Sequence, residues 1–128
     1  MQTFSKDERL CSKLLLSALL EKGTSFFVHP FRIIWLETEH PGKHPVQIAI
    51  SVSKKRFKKA VDRNKVKRAV REAYRQNKQE LYDAMSEKGR KGLLLLVYSI
   101  NTQPVHSEVE SKIKLILQRL IKENEKSA

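Results

Sequence analysis

Between Lys54 and Arg75 the chain reads KKRFKKAVDRNKVKRAVREAYR, with eleven basic residues against only Asp62 and Glu72, so these 22 residues carry nine of the twelve net positive charges of the 128-residue protein. The chemistry open to such a stretch is binding of a polyanion. At about 100° per residue, Asn64, Lys67, Arg68, Arg71 and Arg75 fall within one arc of a helix, and Val66, Ala69, Val70 and Ala73 share the opposite arc. One stripe docks on a core and the other meets phosphate oxygens, which Arg can take two at a time and Lys as a mobile point charge. With the flanking Lys54, Lys55, Arg56, Lys59, Arg63 and Lys65, these are the candidate RNA-binding residues. A merely solvated helix face carries both signs, and targeting or calmodulin-type segments are basic too. Here the acid Glu72 stands to the side of the basic arc, which favours nucleic acid.

Catalytic and metal-binding patterns are not evident. His29, His40, His44 and His106 are scattered, as isolated loop histidines on a surface usually are, and no His/Cys/carboxylate spacing suggests zinc. The single Cys11 excludes an intrachain disulfide and fits a reducing, cytoplasmic setting. Polar Ser5 to Glu8 do not form a secretory signal, and the longest apolar run, Leu93 to Tyr98, is too short to span a bilayer. A length of 128 residues with 40% hydrophobic content predicts one domain over residues 1–128, with 124–128 frayed.

The elements that must position the basic helix are legible from periodicity. A first helix is expected from about Lys6 to Lys22, opened by a Ser5/Glu8 capping box and stopped at Gly23. Extended segments follow at Ser25–Val28 and Phe31–Glu37 around Pro30, then a turn at Glu39–Lys43. Val46, Ile48, Ile50 and Val52 alternate with Gln47, Ala49, Ser51 and Ser53 as a strand with one buried face. Beyond the basic helix come a second helical stretch at Gln79–Lys88, a strand buried on both faces at Leu93–Tyr98, and a final helix with Val109, Ile113, Ile116, Leu117, Leu120 and Ile121 inward. The order αβββαβα predicts an α/β (α+β) two-layer sandwich on a mixed four-stranded sheet. Leucines run too far round the first helix for one face: Leu10, Leu14 and Ala18 lie on one arc, Leu16 and Leu20 well away, Leu15 and Leu19 between.

Arg63-Asn64-Lys65-Val66-Lys67-Arg68-Ala69-Val70-Arg71-Glu72 resembles the RNRxKRxxRE signature of the bacterial ribonuclease P protein component, with Lys65 where that family most often has Arg. Ser51-Val52-Ser53-Lys54-Lys55, Ala60-Val61, Arg9-Leu10 and Gly23-Thr24 extend the likeness, which is dense over residues 46–76. The resemblance implies a left-handed crossover before the last strand. It implies a protein subunit that docks its basic helix on a catalytic RNA, and a first helix and sheet that hold the single-stranded 5′ leader of precursor tRNA, so that leader removal yields mature 5′ ends. Aligned on the family, the leader cleft falls on Leu16, Leu20, Ile34 and Ser51. Relatives often carry Phe at the first two of these positions, and an aromatic can occur at the third. Leucine offers no π face, leaving Trp35 and Phe27 as the rings to compensate. By the same resemblance catalytic Mg²⁺ is held mainly by the RNA, no catalytic residue is expected in this chain, and Asn64 comes near a metal in the complex. The alternatives are a general or ribosome-associated RNA-binding protein without a processing role, and an amphipathic membrane-surface protein, which the strand pattern disfavours.

Overall fold

The computed structural model describes residues 6–126. A 3-10 turn at Lys6–Glu8 leads to α1 (Lys13–Lys22), followed by β1 (Thr24–Val28), β2 (Phe31–Glu37) and β3 (Val46–Val52). After them come α2 (Ala60–Asn77), α3 (Gln79–Glu87), β4 (Gly92–Tyr98) and α4 (His106–Lys126). The sheet order is β1-β2-β4-β3, with β1/β2 and β2/β4 antiparallel and β3/β4 parallel. α2 and α3 therefore form the crossover between two parallel neighbours, and the fold is α+β with a mixed four-stranded sheet.

The alternation of side chains divides the apolar residues between two layers. On one face Ile33, Val46, Ile48, Leu94 and Leu96 pack against Val66, Val70 and Tyr74 of α2, Leu81 and Met85 of α3, and Ile113, Ile116 and Leu120 of α4. On the other, Ile34, Leu93 and Leu95 lie under Leu15, Leu16 and Leu19 of α1 and under Leu10. The leucine run of β4 thus serves both layers, as expected of a central strand. Gly92 opens β4 because the Trp35 ring lies over it: a Cβ there would stand 2.3 Å from Cη2.

Two boundaries differ from the sequence reading. The first helix starts at Lys13, not Lys6, and Ser12 caps it by accepting from the Leu15 amide at 3.3 Å. Residues 9 and 10 are instead drawn to the free edge of β3, where Arg9 bridges Ile48 in parallel and the Leu10 amide donates to the Ile48 carbonyl at 2.9 Å. Tertiary hydrogen bonds to an open strand edge outweigh about two further helical turns. Glu8 is buried, and the Ser5 half of the anticipated capping box lies outside the described residues. The basic helix and the second helical stretch, expected at Gln79–Lys88, are both present, as α2 and α3, which meet at Lys78. The expected frayed tail is helical through Lys126: Asn124 is buried, donates to the Ala84 carbonyl, and accepts from Lys88 and Arg90. Residues 127 and 128 lie outside the described residues.

Gly23 does stop α1, with its amide on the Leu19 carbonyl at 2.8 Å. Its backbone is extended (φ −69°, ψ 154°), so close approach and not a left-handed turn selects glycine: a Cβ would meet Ile34 Cγ2 at 2.7 Å.

Candidate nucleic-acid interface

α2 is fixed to the core by Val66, Val70, Ala73 and Tyr74, and the side away from those residues is cationic. Asn64, Lys65 and Arg68 are exposed; Lys67 and Arg71 are half-buried. Burial, and then the charges of Arg9 and Arg68, hold the Arg71 guanidinium below its usual pKa. Like charges are gathered at that point, which costs free energy in the isolated protein and is relieved by a polyanion.

Two of the sequence candidates also have structural partners. Arg63 Nη1 donates to the Phe57 and Lys58 carbonyls at 2.8 and 3.0 Å, fastening the loop before α2 onto the helix. Arg75 binds Glu72 through two nitrogens, at 3.0 and 2.5 Å, which raises the Arg75 pKa and lowers that of Glu72 through the same hydrogen bonds. Arg75 is thus already held by an acid on its own helix.

The loop from β3 into α2 presents Lys54, Lys55, Arg56, Lys58 and Lys59 to solvent around one apolar anchor, Phe57, which is buried against Tyr98 with ring centroids 6.2 Å apart. Ser53 shapes the turn: its carbonyl accepts from the Arg56 and Phe57 amides and its hydroxyl from the Lys55 amide. Arg56 reaches across to Asn101 Oδ1 at 3.1 Å.

A second surface lies on the α1 side of the sheet. Cross-strand pairing puts Phe27, Arg32, Val97 and Ser51 in one row, and α1 covers the adjoining Ile34 and Leu95 but leaves this row open. Phe27 is 55% exposed, and Arg32 and Ser51 are exposed. Leu16 and Leu20 share a flank of α1; the former is half-buried and the latter 57% exposed. Ile34 is not part of the open surface. At 6% exposure it lies beneath α1 and supports the helix. Of the two compensating rings, Trp35 points to the opposite layer, over Gly92, and only Phe27 is on the open row. Arg32, missed from sequence, sits beside Phe27 with Nε 3.5 Å from Ser25 Oγ. Its place between Phe31 and Ile33, both buried on the other face, was the available signal.

Among the described residues no group of three or more His, Cys, Asp or Glu side chains is disposed to hold a metal ion. The histidines remain apart. His40 departs from the expected surface role: it is buried, takes the Gly42 amide on Nδ1 at 3.1 Å and donates from Nε2 to the Pro45 carbonyl. Among the described residues no helix is long and apolar enough to cross a membrane.

A family model described as Ribonuclease P matches residues 4–121. A ribonuclease P protein component of Porphyromonas gingivalis is 44% identical over 85 residues, covering 66% of this chain and 61% of the relative. One from Chlorobium phaeobacteroides is 34% identical over 90 residues, covering 68% and 62%. The aligned part is thus under two thirds of the length of these curated relatives. Among solved structures, the Staphylococcus aureus RNase P protein superposes with a TM-score of 0.70 at 20% identity, covering 88% of this chain and 94% of that one. The Thermotoga maritima RNase P protein gives 0.68 at 23% identity, covering 88% and 96%. At such identities the likeness establishes the fold.

Proposed function

The chain belongs to the ribonuclease P protein family, and from that premise we propose that it is the protein subunit of a ribonucleoprotein ribonuclease P, acting with a catalytic RNA to remove the 5′ leader of precursor tRNA. The observation that carries this reading is the exposed cationic side of α2, continued by the basic loop before it, on a helix whose other side is locked into the core. In the proposal Asn64, Lys65, Lys67, Arg68 and Arg71, with Lys54, Lys55, Arg56 and Lys59, contact RNA phosphates. Arg63 does so while bracing its loop, and Arg75 contributes least because Glu72 already holds it.

The leader is assigned to the α1 side of the sheet, between the Leu16/Leu20 flank and the open row of Phe27, Arg32 and Ser51. Phe27 offers a stacking face and Arg32 a charge, as single-strand tracks use; Ile34 is withdrawn from direct contact by its burial. Only the precursor carries a leader, so contacts there favour precursor over mature tRNA. Cations near the scissile region screen phosphate repulsion and lower the magnesium the reaction needs. In this reading the catalytic ions, and the catalytic centre, belong to the RNA subunit. This chain's role is then binding and orientation, in the cytoplasm where tRNA is processed.

The test is 5′ processing of a precursor tRNA by a cognate bacterial ribonuclease P RNA at low magnesium, with and without the protein. Cleavage dependent on the protein and leaving a 5′ phosphate on the tRNA is expected. Tight RNA binding without stimulation of cleavage would replace the proposal with that of a general RNA-binding protein.

A further inference from the structure

Residues 6–10 do more than lead into α1. The Asp7 carboxylate accepts the Lys43 and His44 amides at 2.5 and 3.3 Å, and its carbonyl takes Gln47 Nε2 at 3.2 Å. Glu8 is fully buried and forms an ion pair with Lys78 at the junction of α2 and α3, with His44 Nδ1 3.9 Å away. Arg9 bridges Ile48, and Leu10, buried, bonds to the same residue. Four consecutive residues thus clip the β2–β3 loop, the edge of β3 and the α2–α3 junction together.

Glu8 and Leu10 point inward, so Arg9 between them points out and is exposed. It stands close enough to α2 for its charge to be felt at Arg71, together with that of Arg68. The Glu8–Lys78 pair, 70 positions apart in sequence, anchors the N-terminal segment at the α2–α3 junction, and Arg9 stands on the solvent side of that anchor, where its charge is felt at Arg71.

We propose that Arg9 is an RNA contact that joins Arg68 and Arg71 in a three-guanidinium site for phosphates, and that the Glu8–Lys78 pair is what positions it there. The inference deepens the RNA-binding role proposed above and rests on it. A short clip with one outward cation extends the cationic surface from α2 to the edge of the sheet. It also couples that surface to the packing of α3.

The experiment measures affinity of the full chain for a bacterial ribonuclease P RNA from about 50 to about 200 mM KCl, comparing wild type with Arg9→Gln, Glu8→Gln, Arg9→Gln/Glu8→Gln, Arg68→Ala and, as a net-charge control on α4, Lys114→Gln. One lost phosphate contact lowers the slope of log K against log[KCl] by about 0.7–0.9, so the wild-type advantage over Arg9→Gln shrinks about threefold across that range. Lys114→Gln keeps the wild-type slope. Glu8→Gln reproduces the Arg9→Gln slope with faster hydrogen exchange at the Leu10 amide, and the double variant shows no further loss. An unchanged slope in Arg9→Gln while Arg68→Ala lowers it would overturn the proposal and leave the RNA-binding α2 surface standing. If neither lowered it, the RNA-binding reading itself would fail. A slope loss in Lys114→Gln equal to that of Arg9→Gln would reduce the effect to net charge and overturn the site. A wild-type slope in folded Glu8→Gln would remove the positioning role.

Discussion

Replacing Glu8 by leucine tests whether the N-terminal clip is held by a buried charge pair or by the apolar contacts around it. Glu8 is 0% exposed and the Lys78 side chain 5%, so the variant leaves an ammonium in the interior without its counterion. Breaking one side of such a pair costs about 3–5 kcal/mol, whereas exposed pairs contribute about 0–1 kcal/mol. With an unfolding entropy of about 2.1 cal/mol/K per residue, a chain of this length has roughly 0.27 kcal/mol/K at its midpoint, so the melting temperature should fall by about 11–19 °C. Glu8→Leu/Lys78→Met removes both charges while keeping volume, and should recover most of that loss, since isosteric apolar replacement of buried pairs is commonly neutral or stabilising. Urea denaturation of wild type, both single variants and the double variant at pH 7 closes the cycle. A penalty for Glu8→Leu below about 1 kcal/mol, in the range of an exposed pair, would refute the buried-pair account. So would a double variant no more stable than the single ones.

The functional surface and the core give three further expectations. Arg68→Ala/Arg71→Ala should weaken binding to ribonuclease P RNA and flatten its salt dependence by two phosphate contacts, so that the wild-type advantage falls about 7–12-fold between about 50 and about 200 mM salt. Its unfolding free energy in urea should stay within about 0.5 kcal/mol of wild type, because Arg68 is exposed and Arg71 stands among like charges. Burial raises the Tyr74 and Tyr82 phenols, whose hydroxyls lie 3.0 Å apart, well above the usual 10. Their contribution is complete below pH 10 and declines above it, as the unfolded chain gains phenolates that the folded one refuses, by about 1.4 kcal/mol per pH unit for each. Alkaline titration should therefore show their phenolate absorbance appearing together with loss of helical circular dichroism, and phenolate formation in a fully folded chain would contradict this. Gly92→Ala should cost about 1–3 kcal/mol and alter Trp35 fluorescence, because the added methyl meets the indole at 2.3 Å; an unchanged melt and spectrum would show that the ring moves freely.

Ile48, Ile113 and Val70 illustrate what periodicity could establish before any coordinates. Each belongs to a pattern whose period, 3.6 or 2, is set by backbone geometry and therefore written locally in the chain. On that basis β3, the inward stripe of α4 and the two-sided character of the basic helix were read from the sequence, along with the residues of the Lys54–Arg75 run, while β4 was read from its continuous apolar run. Local patterning could not settle where a segment meets something distant. Residues 6–10 looked like the first turns of a helix, yet an open edge on β3 and a buried partner at position 78 took them instead. Trp35 and Phe27 were equal candidates for a ring beside the proposed leader track. The pairing register put Trp35 against Gly92 on the far layer and left Phe27 on the open row. Ile34 and His40 were assigned to surfaces and proved buried, the first under a helix and the second inside a loop it ties together.

The sequence by itself determined that this protein concentrates its positive charge on one side of one amphipathic helix, because composition and helical period are local properties. Only the tertiary structure decided which cations stand together. Arg9 approaches Arg71 through a strand edge and a buried ion pair, and Arg75 is withdrawn by Glu72. Such proximities depend on long-range packing and on burial, and neither is encoded in the spacing of the residues concerned.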